Sequence, residues 1–180
     1  IPVKKHDHVL IPAATVHCSG ADTMVLEISA TPYIFTFKLW DWGRVDLDGK
    51  PRPIHLEHGA ANIQWYRNTE WVHKNLINAV AEVYSDENGT VVRTGLHERE
   101  FLDTFRFTTS SALPVHRNGS VHMLNLVDGT RAVLRSKSDA FPPLELHYAE
   151  TCIVPQAAGD YEIYSPDGSE VKVILACVRN

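Results

Sequence analysis

The chain has 180 residues, of which 44% are hydrophobic and 22% are charged, and its formal net charge at pH 7 is -5. These values are ordinary for a globular protein, and the acidic balance gives no electrostatic reason to expect a nucleic acid or an anionic membrane as partner. No apolar run approaches the roughly 18 residues that a membrane-spanning helix needs. The length allows one large domain or two small ones.

The first part of the chain is predicted to be mainly β. Three short segments are rich in branched and aromatic residues and are bounded by Gly, Pro, Asp or Asn, which is typical of strands: HVLI (8–11), TMVLEIS (23–29) and YIFTFKLWDW (33–42). Residues 54–66 and 69–80 carry few strand signals and are predicted to form one or two helices.

The last part of the chain again shows strand patterns separated by turn signals such as VDG (127–129) and SPDG (165–168). The predicted strands are FLDTFRF (101–107), SVHMLNLVDG (120–129), TRAVLRS (130–136), LELHYAETCIV (144–154), YEIYS (161–165) and VKVILACV (171–178). Many short strands at such spacing predict an all-β sandwich or jelly roll.

A weak internal repeat relates the two β regions. HVLIPAATVHCSG and TCIVPQAAGDYEIYS share an apolar strand, a proline, small residues and a polar residue five positions after the proline. That residue is His17 in the first copy and Asp160 in the second. If His17 binds a metal, the second copy is predicted to bind none.

The N-terminal histidines allow two interpretations. His6 and His8 would lie on one face of a strand and could form a three-histidine zinc site with His17. Alternatively, KKHDH is a solvated edge, which is the favoured interpretation.

The segment after His17 has a pattern that suits an anionic substrate. Lys38, Trp40 and Trp42 would share one strand face and form a cationic, aromatic pocket wall for a phosphorylated molecule. Asp41 and Arg44 could instead pair with each other, and the tryptophans of an ordinary amphipathic strand would fill the core.

Taken together, VLIPAATVHCSG, MVLEIS and FKLWDWGRVDLDGKPRPIHLE resemble the type I mannose-6-phosphate isomerases. The region from EFLDTFRF to VILACVRN resembles the C-terminal cupin domain of the same enzymes. The resemblance implies an all-β fold of cupin (jelly-roll) barrels. Residues 1–57 would be the C-terminal part of the metal-binding cupin domain, 58–90 a helical connection, and 91–180 a second cupin-like jelly-roll domain.

The resemblance also implies a function: the zinc-dependent interconversion of mannose 6-phosphate and fructose 6-phosphate, an aldose–ketose isomerisation. His17 matches the last of four zinc ligands in that family. Arg44 matches the second arginine of the catalytic strand, and Lys38 stands where the first arginine would be, so both are expected to be catalytic and to bind the sugar phosphate. Ala14 stands where the family usually has glycine.

The family's other zinc ligands, a Gln-x-His pair and a Glu, lie upstream, and no such motif precedes Ile1. The chain is therefore expected to be a fragment that is inactive by itself. An odd number of cysteines without a CxxC spacing favours a cytoplasmic setting. The alternative function is a non-catalytic cupin that binds a sugar or serves as a structural module, and Lys38 and the missing ligands favour that alternative.

Overall fold

The computed structural model describes residues 1–29, 36–95 and 97–179. The chain divides into two compact units, one made of Ile1–Leu10 with Ile77–Asn180 and the other of Ile11–Leu76. These bounds differ from the predicted boundaries at residues 57 and 90. The assignment of residues 1–57 to the end of a metal-binding cupin domain stays a prediction.

The unit that contains the C-terminal half is an antiparallel β structure. Its described strands are β1 (Ala81–Asp86), β2 (Gly89–Arg93), β3 (Leu102–Thr109), β4 (Ala112–Val115), β5 (His122–Asp128), β6 (Arg131–Ser136), β7 (Leu144–His147), β8 (Thr151–Val154), β9 (Tyr161–Tyr164) and β10 (Val171–Val178). They form a six-stranded sheet in the order β1-β2-β3-β10-β5-β8 and a four-stranded sheet in the order β4-β9-β6-β7. The all-β prediction is thereby confirmed.

Alternation along β10 shows how the sequence builds the core of this unit. Val171, Val173 and Leu175 are at most 3% exposed, whereas Lys172 and Ile174 between them are half-buried on the other face. Burial of each such aliphatic side chain stabilises the fold by about 1.5–3 kcal/mol. The same core takes in buried side chains of both sheets: Leu113, Val115, Leu124, Leu126, Leu134, Leu146, Tyr161 and Ile163.

The turn between β5 and β6 requires its glycine. Gly129 has φ +88°, in the left-handed region, and a Cβ atom built on it would lie 2.8 Å from Val171 Cγ1 and 3.0 Å from the Glu170 carbonyl oxygen. The glycine of the VDG turn signal is therefore needed for two reasons: its left-handed backbone conformation and the close approach of Glu170 and Val171.

The N-terminal segment Ile1–Leu10 is held on this unit by charged groups. Lys5 Nζ lies 2.5 Å from Asp128 Oδ1, and His6 Nε2 lies 2.8 Å from Asp128 Oδ2. Arg106 donates a hydrogen bond of 2.8 Å to the carbonyl oxygen of His6. Hydrogen bonding from Lys5, with smaller contributions from His6 and Lys172, holds the pKa of Asp128 far below its usual range.

Asn78 supplies a second attachment for the same segment. Its amide nitrogen donates to Asp7 Oδ1 at 2.8 Å, and its amide oxygen accepts the His8 backbone N–H at 2.8 Å. Val9 forms a bridge with Ile77. Lys4 and Lys5 are exposed, whereas His6, Asp7 and His8 are half-buried and bound, so the interpretation of KKHDH as a solvated edge holds for the two lysines only.

The unit Ile11–Leu76 contains two short helices, as expected: α1 (Leu56–Asn62) and α2 (Thr69–Asn75). The side chain of Asn68 caps α2 by accepting the Trp71 backbone N–H at 3.0 Å. Gly59 is the buried residue of α1, and its Cα packs so closely on Leu39 that no Cβ would fit without displacing that side chain.

Several predicted strands in the first part of the chain are not formed. Residues 23–29 are irregular, and in 8–11 the only β pairing among the described residues is the Val9–Ile77 bridge. Of the predicted strand 33–42, residues 33–35 lie outside the described residues, and 36–42 are irregular. The side chains suit strands, but a strand also needs a hydrogen-bonded neighbour. Conversely, residues 81–86, expected to be part of a helical connection, form strand β1.

The three cysteines are free thiols: Cys18 is exposed, Cys152 is half-buried and Cys177 is buried. Within the described ranges, no helix is long and apolar enough to cross a membrane.

Candidate functional site

His17 is an exposed side chain at the end of a proline turn. Its ring Nδ1 lies 2.9 Å from the carbonyl oxygen of Thr15. Because a carbonyl oxygen only accepts hydrogen bonds, Nδ1 carries the proton in the neutral ring, and Nε2 presents its lone pair. This tautomer is the one that a metal ligand coordinating through Nε2 requires.

The turn before His17 is fixed from within the same unit by Arg67. One guanidinium nitrogen of Arg67 donates to the carbonyl oxygens of Ala13, at 2.7 Å, and Pro12, at 3.3 Å, and also to the Thr15 hydroxyl. Ala14 has φ +68°, a left-handed conformation that glycine adopts without strain. No sequence pattern pointed to Arg67, because its partners lie more than 50 residues away along the chain.

Lys38 belongs to a cluster of charges around Asp41. Arg52 forms a bidentate ion pair with Asp41: Nε lies 2.5 Å from Oδ2, and NH2 lies 2.8 Å from Oδ1. Lys38 Nζ lies 3.6 Å from Asp41 Oδ1. The hydrogen bonds from Arg52 hold the pKa of the Asp41 carboxyl below its usual range. The predicted alternative, a side-chain pair between Asp41 and Arg44, is not formed.

Arg44 lies on the turn that follows Asp41. Its backbone N–H donates to the Asp41 carbonyl oxygen at 2.9 Å, and its own carbonyl oxygen accepts the Arg52 N–H at 3.0 Å. Its guanidinium group is exposed and makes no ion pair within the described part of the chain. The structure therefore places Arg44 beside the Lys38–Asp41–Arg52 cluster.

The tryptophans of this region do not fill a core. Trp40 and Trp42 are 69% and 70% exposed, and their rings meet edge to face with 6.4 Å between centroids. Across residues 1–29, 36–95 and 97–179, no hydrogen bond or ion pair links His17 to Lys38 or Arg44.

The described residues alone do not complete a zinc site. They contain no group of three or more His, Cys, Asp or Glu side chains that could hold a metal ion, whereas a zinc site takes three or four protein ligands. His6 and His8 belong to the unit of Ile1–Leu10 with Ile77–Asn180 and His17 to the unit Ile11–Leu76, so the three-histidine site stays a prediction.

A second candidate site is a cavity in the β unit. It has a volume of about 260 Å³ and mostly apolar walls. Its lining consists of Val83, Tyr84, Val91, Phe105, Phe107, Pro114, Val115, His116, Asn118, His122, Leu175 and Cys177.

His122 anchors the polar side of this cavity. It is 2% exposed, with Nδ1 2.9 Å from the Tyr161 hydroxyl and Nε2 3.1 Å from Asn118 Oδ1. Because the amide oxygen only accepts, Nε2 carries the proton and Nδ1 accepts from Tyr161. Burial, assisted by the charge of Arg117, lowers the pKa of His122 to about 4. Sequence reasoning found no ligand spacing around His122, since its partners come from another strand and a loop.

Asp160, the counterpart of His17 in the internal repeat, lies outside the core. Its carboxylate accepts from His116 Nδ1 at 2.9 Å and from the Arg117 backbone N–H at 2.9 Å. The hydrogen bond from His116 holds the pKa of Asp160 below its usual range. Asp160 thus ties the start of β9 to the loop after β4.

Two antiparallel sheets around a shared apolar core define a jelly roll of the cupin type. In sequence, the chain is distantly similar to mannose-6-phosphate isomerases. It is 35% identical over 57 residues to the enzyme of Streptococcus mutans serotype c, a match covering 32% of this chain and 18% of the relative. It is 22% identical over 129 residues to the enzyme of Bacillus subtilis, covering 72% of this chain and 38% of the relative.

The crystal structure of the Bacillus subtilis mannose-6-phosphate isomerase has a similar fold. Its TM-score is 0.55 at 13% sequence identity, with 78% of this chain and 39% of that chain covered. The chain thus spans less than two fifths of the length of either curated relative. No family model matches it.

Proposed function

We propose that this chain forms part of a zinc-dependent aldose–ketose isomerase that interconverts mannose 6-phosphate and fructose 6-phosphate in the cytoplasm. The observation that carries the proposal is the similarity to two mannose-6-phosphate isomerases, one of which also has the same fold. The three free thiols agree with a reducing compartment.

His17 would supply one zinc ligand through Nε2. The Nδ1 hydrogen bond to Thr15 supports this role because it fixes the ring tautomer. The remaining ligands, and the base that moves the proton between the sugar carbons, would come from groups that the described residues do not supply.

Arg44 would bind the phosphate of the substrate or stabilise the oxyanion. Its guanidinium group is exposed and makes no ion pair within the described ranges, and its planar fork matches a phosphate with two parallel hydrogen bonds. Lys38 would also contribute positive charge to the substrate site, but its ammonium group is already paired with Asp41, which also binds Arg52.

A coupled assay of the full-length protein with mannose 6-phosphate and zinc tests the proposal. We expect His17→Ala to lower turnover by on the order of 100-fold or more, because loss even of a group that only supports a ligand costs 10–100-fold. His73→Ala, at an exposed position on α2, is the matched control and should leave turnover and zinc content unchanged. Wild-type turnover with zinc still bound in His17→Ala would show that His17 is only a turn residue.

The role of Arg44 is tested by measuring whether its substitution changes KM, kcat or both. Arg44→Ala should raise KM for the sugar phosphate by about 10–100-fold, since a hydrogen bond to a charged group contributes about 1.5–3 kcal/mol. Arg44→Lys should recover part of that loss, because it keeps the charge without the fork. A fall in kcat with an unchanged KM would assign Arg44 to the oxyanion, and unchanged values of both KM and kcat would remove it from the substrate site.

A non-catalytic cupin that binds a sugar or serves as a structural module is the second candidate. The ion pair between Lys38 and Asp41 favours it, because this pair engages a cation that the isomerase hypothesis assigns to the substrate. The same assay separates the two, since this candidate predicts no turnover in the full-length protein at any zinc concentration.

A further inference from the structure

We propose that the cavity of the β unit is a binding site for a small, neutral, mostly apolar molecule that carries one hydrogen-bonding group. The site is independent of His17, Lys38 and Arg44, and it goes beyond the isomerase function. Its evidence is the chemistry of the cavity walls and the geometry of the entrance.

The cavity is an indentation of about 260 Å³ that is partly open to solvent. What distinguishes it is therefore the chemistry of its lining and not its volume. Its apolar walls include the aromatic rings of Phe105 and Phe107 and the side chains of Val91 and Leu175. A well-formed apolar cavity with a few converging polar groups is the usual form of a small-molecule site.

The residues that line the cavity disfavour a charged occupant. None of the residues that line the cavity in the described part of the chain is Lys, Arg, Asp or Glu. His122 is held neutral by its burial and by its two hydrogen bonds of fixed direction. A phosphorylated sugar would lose its hydration here without gaining a cationic partner, so the occupant is uncharged.

One acceptor atom in the lining can receive a hydrogen bond from a hydroxyl group of the occupant. His116 lines the cavity, and its Nδ1 donates to Asp160, so the other nitrogen of the neutral ring is an acceptor. The buried cluster of His122, Asn118 and Cys177 is linked by hydrogen bonds, including Asn118 Nδ2 to Cys177 Sγ at 3.2 Å. This cluster is preorganised, so an occupant does not have to order it.

The entrance is built from the edge of the six-stranded sheet. Val83 and Tyr84 on β1 line the cavity and are 52% and 41% exposed. Among the described strands β1 pairs with β2 alone, so a larger side chain at Val83 can narrow the entrance without disturbing the core.

The purified protein is titrated with benzyl alcohol, which is neutral, and with benzylphosphonate, which has the same ring and a negative charge. Binding is followed by NMR chemical shifts and by intermolecular NOEs. We expect saturable binding of benzyl alcohol with NOEs to Phe105, Phe107 and Leu175, and no binding of benzylphosphonate at these residues. Equal binding of both probes, or no NOE to these residues, would overturn the proposal.

Val83→Trp should raise the Kd for benzyl alcohol about tenfold or more, because the indole ring occupies the entrance. Ile153→Trp is the matched control, since Ile153 is 64% exposed on β8, at the opposite edge of the same sheet, and does not line the cavity. An unchanged Kd in Val83→Trp, or an equal rise in Ile153→Trp, would contradict a site entered past β1.

Discussion

His122 and Ala14 are single residues whose surroundings force an unusual state. His122 is kept neutral inside the β unit because Asn118 accepts from Nε2 and Tyr161 donates to Nδ1, so a second ring proton has no acceptor. Ala14 adopts a backbone conformation that costs a residue with a Cβ about 1–2 kcal/mol. The neutral state of His122 makes stability depend on pH, and the strained backbone of Ala14 makes stability depend on the residue at that position.

His122 makes the stability of the β unit fall as the pH decreases below 6.5. The pKa of an unfolded histidine is about 6.5, whereas that of folded His122 is about 4. Between these values the unfolded chain binds the proton and the folded chain does not, so the free energy of unfolding falls by up to about 1.4 kcal/mol per pH unit. The measurement is urea unfolding at pH 7, 6 and 5, followed by NMR signals of β10.

His122→Gln should flatten this dependence, and His73→Gln, at an exposed position on α2, should not. His8 adds a smaller slope of the same sign, because burial lowers its pKa as well. Identical slopes in wild type and His122→Gln would mean that His122 is not the group that titrates.

Ala14→Gly should stabilise the unit Ile11–Leu76. Glycine adopts φ +68° without the strain that Ala14 carries, and the expected gain, after the entropy of the more flexible unfolded chain, is about 0.5–1 kcal/mol. Urea unfolding monitored by the tryptophan fluorescence of this unit measures it. A loss of stability would show that the methyl group of Ala14 makes packing contacts that outweigh the strain.

At the scale of elements, most strands that face the core were predicted, but the short strand β4 was missed although its Leu113 and Val115 are buried. In β10 the buried Val171, Val173 and Leu175 alternate with the half-buried Lys172 and Ile174, and the strand was predicted from its branched residues and the SPDG turn signal before it. All six residues of β1 are exposed, so hydrophobic periodicity gave no signal. In TMVLEIS the side chains were typical of a strand, yet residues 23–29 have no neighbouring strand among the described residues.

The β5–β6 turn should be sensitive to any side chain at its glycine. Gly129→Ala adds both left-handed strain and an overlap with Val171 and the Glu170 carbonyl, so we expect a loss of about 2–4 kcal/mol in the free energy of unfolding. Gly168→Ala is the matched control. Gly168 also has a positive φ, but the nearest atom to its Cβ would be 4.0 Å away, so only the strain of about 1–2 kcal/mol applies. Equal losses in the free energy of unfolding of the two variants would show that steric overlap with Val171 and Glu170 does not contribute.

At the scale of the molecule, the chain is organised by contacts between residues far apart in sequence. Asp128 binds Lys5 and His6 across more than 120 residues, and this is how the segment Ile1–Leu10 comes to belong to the unit with β10. Sequence reasoning identified the fold class and the family resemblance from local patterns, but it could not see this attachment or the surroundings of His122. The roles of His17, Lys38 and Arg44 stay predictions.

Asp128→Asn should loosen the N-terminal segment. It removes the charge that Lys5, His6 and Lys172 share, and we expect a loss of about 1–3 kcal/mol and faster tryptic cleavage after Lys4 and Lys5. Glu145→Gln is the control, because its ion pair with Arg131 is half-exposed and contributes little. Unchanged cleavage rates in Asp128→Asn would show that Asn78 and the Val9–Ile77 bridge suffice to hold the segment.

The unequal burial of the three thiols gives the protein a built-in position for chemical labelling. Burial raises the pKa of Cys152 to about 11 and also raises the pKa of Cys177, so both stay protonated and unreactive at neutral pH. Cys18 is exposed and follows His17 directly. A maleimide fluorophore should therefore attach at Cys18 without any engineered cysteine, and a change in its emission on addition of zinc would test whether the neighbouring imidazole binds the metal.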